Sequence, residues 1–314
     1  MIHKRQQKPR RAHYCLLVNK QAARFSLRAI RKLTSNIKQR GDSYTVLEPN
    51  SAAELLRQAE AAAGVKKRGR GFSEQFGRRG QVTALVACGG DGTVNLVSRV
   101  AMKADLSVGV LPMGAYNNIA RSLFGSDNCE DAIKRTLGRK TRKIDSGTVS
   151  GQVFFGSLGF GFIPELSRLL AERKPPRFAF AWSQVGMKAA MARLPKDIII
   201  KVDSFRFEIS PTILSINLLP YTLGLPFSPA SITDDARAEV VFDAGATDKL
   251  IASYLRSVAA KQFVYGSQIR SFRGQAISIQ PIKGCDLYLD GELVKVPDAV
   301  VDIHIGETQL KVLG

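Results

Sequence analysis

Residues 86–95 read VACGGDGTVN, and this stretch decides how the first half of the chain folds. An apolar run leads into three glycines that flank one acid, Asp91, and Thr93 and Asn95 follow. A strand that ends in glycines and enters a helix gathers peptide N–H groups at the helix N-terminus, and this geometry favours phosphate. Glycine and aspartate are also common residues of plain turns. The stretch alone leaves both interpretations open.

A second loop of the same kind follows. Residues 109–125, GVLPMGAYNNIARSLFG, give a strand, a Pro-Met-Gly turn and a helix whose first turn holds two asparagines. Adjacent parallel strands that each end in a glycine loop bring both loops to the carboxyl edge of the sheet, where open α/β sheets bind ligands. The second loop therefore favours the phosphate-binding interpretation.

Strands and helices alternate throughout the first half of the chain. Ser26 and Ser51 stand where helix caps are expected, and Glu54 completes a capping-box pattern after Ser51. Strict alternation indicates a parallel sheet with helices on its faces. The predicted strands cover 13–19, 44–48, 82–88 and 106–112, and the predicted helices cover 26–40, 51–63, 93–103 and 117–124.

After about residue 145, short alternating runs with tight turns predict antiparallel strands at 152–160, 196–210 and 275–296, with helices near 163–173, 182–193 and 247–260. We therefore predict an α/β N-terminal domain with a parallel sheet plus a C-terminal, mainly antiparallel β-sandwich domain. The first domain spans 1–145, with a basic arm at 1–12, and the second spans 146–299. Residues 300–314 are expected to pack back on the first domain.

The chain is strongly basic. Its 314 residues contain 46 Lys and Arg against 27 Asp and Glu, a formal net charge of +19. The basic residues cluster at 4–11, at 66–80 within a glycine-rich loop predicted at 64–80, and at 134–143. Such a field attracts polyanions. The chain has no zinc-finger or RNA-recognition signature, so an anionic membrane surface is a better-supported partner than nucleic acid, and a merely solvated basic surface is the alternative.

Several classes of protein are excluded or disfavoured. The four cysteines, Cys15, Cys88, Cys129 and Cys285, form no metal or redox spacing, and reduced buried thiols suit a cytosolic compartment. Only three histidines occur, so a histidine-based metal site or triad is not expected. The longest apolar stretch, 211–229, is broken by prolines and does not predict a membrane span. A membrane contact would be peripheral.

The order of the motifs resembles that of the diacylglycerol kinase catalytic superfamily, which includes bacterial lipid kinases, sphingosine kinases and ceramide kinases. The similar landmarks begin with GGDGTVN (89–95) and PMGAYNNIAR (112–121), and they continue with KIDSGTVSG (143–151), SPASITDDA (228–236) and YLDGELVKV (288–296). The resemblance implies a two-domain kinase that transfers phosphate from ATP to a lipid hydroxyl, with Mg²⁺ present. It also implies a cytoplasmic protein that is peripherally bound to the membrane.

The resemblance also assigns roles by matching position. Glu292 is implied as the general base, and Asp91 as a second catalytic acid. A structural Mg²⁺ would lie between Asp235 and the carbonyls of Ile232 and Arg237. The implied nucleotide-binding residues are Asn19, Thr45, Gly89, Gly90, Asp91, Gly92, Thr93, Asn95, Gly114 and Asn117.

The chain departs from the family pattern at several positions. NKQAA (19–23) stands in place of Asn-Pro-x-Ser-Gly, although Lys20 or Arg24 would supply charge there. Ala115 lacks the usual hydroxyl, and further departures are Leu96, Gly156 and Ala236. These departures leave open a weakened or inactive nucleotide- or lipid-binding protein of the same fold. NAD kinase, whose family shares the Gly-Gly-Asp-Gly loop, is a further alternative. The acceptor lipid and the oligomeric state are not decided by the sequence.

Overall fold

The computed structural model describes residues 11–65, 82–172, 178–192, 194, 197–262, 268–296 and 298–314. The basic stretch 4–10 and the loop 66–81 lie outside these residues, so the predictions for both stand as they are. Within the described residues, a ten-stranded sheet and a six-stranded sheet carry the fold.

The first half forms the predicted alternation of strands and helices. Its elements are β1 (His13–Val18), α1 (Leu27–Gln39), β2 (Ser43–Leu47), α2 (Ala52–Ala63), β3 (Ala84–Gly89), α3 (Asp91–Lys103), β4 (Ser107–Pro112), α4 (Asn118–Phe124) and α5 (Cys129–Gly138). β1 pairs with β2 and β3, and β3 with β4, all in parallel. The helix α5 was not predicted, although Asn128 caps it and accepts a hydrogen bond from the Glu130 N–H at 2.7 Å.

The predicted helix caps are present. Ser26 Oγ accepts a hydrogen bond from the Ala29 N–H, and Ser51 Oγ accepts one from the Glu54 N–H, both at 3.2 Å. Glu54 Oε2 accepts from the Asn50 N–H at 2.9 Å, one residue earlier than the predicted capping box requires. Each cap satisfies peptide groups that the first helical turn leaves without a partner.

The second half is mainly antiparallel, as the alternating runs predict. Its elements are β5 (Thr141–Val149), β6 (Gln152–Phe154), β7 (Ser157–Gly161), α6 (Phe162–Glu172), α7 (Ala179–Ala189), β8 (Ile198–Val202), β9 (Phe205–Ile209), β10 (Ile213–Asn217), β11 (Ala238–Asp243), α8 (Asp248–Ala259), β12 (Ile269–Gly274), β13 (Ala276–Gln280), β14 (Asp286–Leu289), β15 (Glu292–Lys295) and β16 (Val301–Leu313). The predicted fold class, α/β followed by an antiparallel β-sandwich, is confirmed.

The last strand joins the two halves. β16 pairs in parallel with β4, with Val312 opposite Val108, and pairs antiparallel with β5 and β13. The larger sheet therefore runs β2-β1-β3-β4-β16-β13-β8-β9 without a break, and the six-stranded sheet runs β12-β11-β10-β7-β14-β15. The predicted boundary at 145/146 falls inside β5, so the division into two domains stays a prediction.

Apolar side chains fill each layer of the fold. One face of the parallel sheet packs on α1 and α5 through residues such as Leu33 and Ile133, and the opposite face packs on α2 and α3 through Leu55 and Val97. Between the two sheets lies a separate core that includes Phe160. Helices α6 to α8 cover the outer face of the six-stranded sheet. Because helices cover both faces of the parallel sheet, the loops that follow its strands lie together at its carboxyl edge.

Two glycine loops meet at that edge with no side chain between them. A Cβ atom built on Gly114 would lie 2.4 Å from the Gly90 Cα. Real Cβ atoms do not approach other atoms so closely, and backbone cannot rotate away as a side chain does. The loop after β3 and the loop after β4 are therefore held together by the absence of both side chains.

We expect Gly114→Ala to destabilise the protein by about 1–3 kcal/mol, the usual cost of overpacking. Gly92→Ala is the matched control, because a Cβ at Gly92 meets nothing within 4 Å. The free energy of unfolding in urea measures both variants. Equal stability of the two variants would contradict the close approach of the loops.

An ion pair between the exposed Arg139 and the buried Asp42 connects the end of α5 to the start of β2. Arg139 Nη2 donates to both carboxylate oxygens of Asp42 at 2.5 and 2.6 Å, and the Ala12 N–H donates to Asp42 at 2.9 Å. Burial raises the pKa of Asp42, but the hydrogen bonds from Arg139 and Ala12 and the charge of Arg139 outweigh it, so the pKa is lowered. A lowered pKa means that ionised Asp42 stabilises the folded state.

We expect Asp42→Asn to lose about 2 kcal/mol at pH 7, the range for hydrogen bonds to charged groups. This loss should be constant at neutral pH, shrink below about pH 4, the ordinary aspartate pKa, and vanish below the folded-state pKa. Unfolding curves between pH 2 and 8 measure it, with Asp131→Asn, at an exposed ion pair, as control. A pH-independent difference would assign the loss to packing.

Candidate functional site

A cleft of about 230 Å³ opens at the carboxyl edge of the parallel sheet. The first residues of two helices border it, with Ser51 and Ala52 of α2 on one side and Gly92 and Thr93 of α3 on the other. Its remaining lining residues are Asn19, Gln21, Pro49, Asn50, Leu55, Leu96 and Glu292. Two helix N-termini around one cleft concentrate peptide N–H groups and positive dipole ends, which suits a phosphate chain.

The loop after β1 contacts the start of α3 through Asn19. Asn19 Nδ2 donates to Thr93 Oγ1 at 3.2 Å, and Asn19 Oδ1 accepts from the Gln21 N–H at 2.9 Å. The two cations of this loop are engaged elsewhere, since Lys20 pairs with Glu48 at 2.5 Å and Arg24 Nε donates to the Gly114 carbonyl at 2.7 Å. The altered first loop keeps its contact with the glycine loop.

Asn117 shapes the second loop from within. Its side chain accepts from the Gly114 N–H at 2.8 Å and donates to the Gly114 carbonyl at 3.1 Å, and its φ of 52° is left-handed. Asn117 is buried, so these contacts hold the loop. Ala115, where a hydroxyl was expected, is exposed. The assignment of Gly114 and Asn117 to the nucleotide stays a prediction.

The carboxylate of Asp91 faces the second loop and does not line the cleft. It accepts hydrogen bonds from the Asn118 side chain and from the Ile119 N–H, both at 3.2 Å, and thereby caps α4. Burial raises the pKa of Asp91, and the nearby charge of Asp290 adds to this effect. Asp91 and Glu292 therefore border different cavities. In this structure the Asp91 carboxylate contacts the start of α4, and its predicted catalytic partnership with Glu292 stays a prediction.

A small cavity of about 10 Å³ separates Asp91 from Asp290, with Tyr288 and Tyr221 on its wall. This volume admits about one water molecule. Burial raises the pKa of the Tyr288 hydroxyl, and the charges of Asp91 and Asp290 raise it further. The sequence motifs did not single out Asp290 or Tyr288 as site residues, because Asp-Gly in YLDGE is also the common pair of a hairpin turn.

Glu292 begins β15 directly after that hairpin turn. Asp290 and Gly291 both have positive φ, 49° and 105°, and Leu289 pairs with Glu292 across the turn. The structure thus contains a plain β-hairpin with an exposed glutamate, and the same glutamate lines the cleft opposite Gly92 and Thr93. Among the described residues, the implied base and the glycine loop therefore border the same cleft.

Two other residues that were predicted to contact the nucleotide, Thr45 and Asn95, contact protein groups in this structure. Thr45 lies within β2, outside the lining of the cleft, and its Oγ1 is 3.0 Å from His13 Nε2. Asn95 is buried, and its Nδ2 donates to Asp290 Oδ2 at 2.5 Å. Gly89 and Gly90 form the end of β3 and the N-cap of α3, so they position the cleft wall. Gln21, Asn50 and Ser51 also line the cleft but were not predicted as site residues; Ser51 was expected only as a helix cap.

The predicted Mg²⁺ ligands do not form a metal site as they stand. The carboxylate of Asp235 is paired with the Arg273 guanidinium, a cation that would repel a metal ion. Ile232 is an exposed side chain in the same segment, and the Arg237 N–H donates to Asp235 at 3.3 Å. Across the described ranges, no group of three or more His, Cys, Asp or Glu residues is placed to hold a metal. The Asp235 carboxylate is thus occupied by Arg273, and the assignment of Mg²⁺ to Asp235 and to the carbonyls of Ile232 and Arg237 stays a prediction.

The apolar segment 218–229 contributes to the core. Leu218, Leu219, Leu223 and Phe227 are each less than 5% exposed, and they enter three different apolar clusters. Within the described part of the chain, no helix is both long and apolar enough to cross a membrane.

Only part of the described basic cluster is free of structural contacts. At 134–143, Arg135 stacks on Phe124 at 4.6 Å, Arg139 pairs with Asp42, and Arg142 Nη1 donates to the Leu123 carbonyl at 2.7 Å. Lys140 and Lys143 are exposed. This cluster stabilises the fold as well as contributing positive surface.

Comparison with known proteins agrees with the motifs. The family model of the diacylglycerol kinase catalytic domain matches residues 13–149. A diacylglycerol kinase of Bacillus subtilis is 30% identical over 128 residues, which cover 40% of this chain and 42% of that protein. A diacylglycerol kinase of Staphylococcus epidermidis is 21% identical over 225 residues, covering 70% of this chain and 71% of that protein.

Among solved structures, a diacylglycerol kinase from Bacillus anthracis superposes with a TM-score of 0.72, covering 98% of each chain at 16% sequence identity. This likeness extends the shared fold to both halves of the chain. The aligned sequence spans less than half of the Bacillus subtilis relative, so the relatives' activity is a matter for proposal. The resemblance indicated by the motifs is confirmed over residues 13–149, which match the family model of the diacylglycerol kinase catalytic domain.

Proposed function

We propose that the chain is an ATP-dependent lipid kinase that phosphorylates a hydroxyl group of diacylglycerol or of a related lipid, a sphingoid base or ceramide. One observation carries the proposal: the exposed Glu292 carboxylate lines the same cleft as the first turn of α3 at Gly92 and Thr93. A proton acceptor thus faces a phosphate-binding helix terminus across a space open to substrate. The lipid kinase names of the relatives agree with this chemistry.

The phosphates of ATP would lie against the N-termini of α2 and α3. Gly92 and Thr93, in the first turn of α3, line the cleft, and Asn19 Nδ2 donates to the Thr93 hydroxyl. Phosphoryl transfer passes through a loose transition state, so positioning and charge stabilisation provide most of the rate enhancement. Donors fixed on two helices are suited to this task because they need no rearrangement during the reaction.

Glu292 would take the proton of the acceptor. The lipid hydroxyl oxygen forms a bond to the γ-phosphorus, the bond from that phosphorus to the β–γ bridging oxygen breaks, and the hydroxyl proton passes to the Glu292 carboxylate. The base needs only to lie within hydrogen-bond reach of the hydroxyl when this proton leaves. Exposure of Glu292 at the cleft allows an acceptor to approach from outside.

A peripheral site at an anionic membrane surface in the cytoplasm completes the proposal. A lipid acceptor resides in a membrane, and the net charge of +19 attracts anionic lipid headgroups. The exposed lysines Lys140 and Lys143 lie among the described basic residues. Nucleic acid would be attracted by the same charge, but the chain carries no recognition motif for it.

The kinase proposal is tested by incubating the protein with radiolabelled ATP and mixed vesicles that carry diacylglycerol, monoacylglycerol, ceramide or sphingosine. We expect one lipid class to be labelled. Glu292→Gln should lower the rate by about 10²–10⁴-fold, the usual contribution of a general base. Glu208→Gln, on the distant strand β9, is the control and should retain the wild-type rate.

Two outcomes would contradict the kinase proposal. Absence of labelled lipid for every acceptor would favour a nucleotide- or lipid-binding protein without activity. Labelling of NAD in a parallel soluble reaction, with no lipid labelled, would favour NAD kinase.

Membrane attraction is tested by sedimenting the protein with vesicles. We expect binding to phosphatidylserine-containing vesicles, with about 1 kcal/mol contributed per well-placed Lys or Arg. Salt screens exposed charges, so binding should weaken steeply between low and physiological ionic strength. Neutral phosphatidylcholine vesicles are the control. Equal binding to both vesicle types would contradict the electrostatic attraction.

A further inference from the structure

The turn that carries Glu292 is anchored by an aspartate that neither the motifs nor the proposed reaction uses. Asp290 lies two residues before Glu292, at the first position of the β14–β15 turn. An Asp-Gly turn needs no side-chain contact beyond its own loop. Asp290 nevertheless accepts four hydrogen bonds from two other parts of the molecule.

Three of these bonds come from consecutive peptide groups between β6 and β7. The N–H groups of Phe155, Gly156 and Ser157 lie 2.7, 2.9 and 2.8 Å from the Asp290 carboxylate oxygens. Successive N–H groups that converge in this way form a concave binding site for an anion. The Asp290 N–H in turn donates to the Ser157 carbonyl at 2.9 Å. The turn is thereby fixed to the six-stranded sheet.

Gly156 makes room for this contact. A Cβ at position 156 would lie 2.7 Å from Asp290 Oδ1. Gly156 is one of the departures from the family pattern, and here the missing side chain allows the carboxylate to approach the backbone.

The fourth bond crosses to the helix of the glycine loop. Asn95 Nδ2 donates to Asp290 Oδ2 at 2.5 Å. Asn95 is buried on α3, one helical turn after Gly92, so it moves with the helix whose first turn lines the cleft. Asp290 lies in the turn that presents Glu292, and its side chain accepts a hydrogen bond from the helix that borders the cleft. It therefore connects that turn to α3.

We propose that Asp290 is a positioning residue: by accepting the Asn95 amide and the three peptide N–H groups, it fixes Glu292 at a set distance from the first turn of α3. This inference rests on the proposed function, since it assigns Asp290 a role through Glu292. The carboxylate itself borders the small cavity next to Asp91 and does not line the cleft.

Exchange of the two partners tests this role. Asn95→Asp places a second carboxylate against Asp290 and breaks the bond by repulsion. Asp290→Asn combined with Asn95→Asp restores a side-chain bond, because the new amide can donate to the new carboxylate and its oxygen can still accept from the Gly156 and Ser157 N–H groups, although the Phe155 N–H loses its acceptor. Asp302→Asn, at an exposed position on β16, is the control.

For lipid phosphorylation, we expect Asn95→Asp to lower kcat by about 10²-fold, the effect of a displacement of about 1 Å in a reacting group. The KM for ATP should change little, because the N–H groups of Gly92 and Thr93 remain in place. The double variant should recover most of kcat. Loss of kcat in the double variant equal to that in Asn95→Asp, or a raised KM for ATP with unchanged kcat, would overturn the proposal.

Hydrogen exchange of the peptide that covers residues 286–296 gives a measurement that needs no lipid. Exchange should be faster in Asn95→Asp than in the wild type and in Asp302→Asn, and should slow again in the double variant. Unchanged exchange in Asn95→Asp would overturn the anchoring of the turn. If the wild type labels no lipid, the kinase proposal fails and hydrogen exchange alone decides the role of Asp290.

Discussion

The last strand, β16, pairs with strands from both halves of the chain and thereby sets the position of one half relative to the other. β16 lies beside β4 of the parallel sheet near Val312 and beside β13 near Val301, and β5 pairs along its other edge. A register shift between Ile305 and Gln309 allows one strand to serve both regions. The cleft borders come from both sheets, so the distance between them is set by long-range strand pairing and not by a flexible connection.

Much of the first half could be predicted from local pattern. Apolar spacing and the serine caps located the helices after β1 and β2 to within about two residues, because those signals are confined to one helical turn. The helix α5 carried equivalent signals at Asn128 and Ile133 but lies between two more prominent motifs. Packing of residues 300–314 against the first domain was expected, but the pairing of β16 with β4 within one continuous sheet could not be predicted, because the apolar runs of the two strands do not specify a partner.

The candidate site was only partly predictable for a related physical reason. Glu292 and the glycine-loop residues Gly92 and Thr93 line one cleft. They could not show which asparagines face a ligand, because an amide serves equally well toward phosphate or toward protein. Asn95 and Asn117 both turn inward, the first to Asp290 and the second to Gly114. Likewise, the family resemblance implied a metal at Asp235, and in the structure Arg273 of β12 pairs with that carboxylate.

The contact between Gly90 and Gly114 limits how this cleft can diverge. Each loop forms the steric boundary of the other, so a side chain at either position requires a compensating shift of the opposite backbone. If the cleft binds ATP as proposed, single substitutions in these loops are poor routes to a new nucleotide preference. Variation is better tolerated on the facing wall, where Gln21 and Asn50 approach the cleft from separate loops. Under the proposed function, we therefore expect differences in specificity to arise on that wall of the cleft.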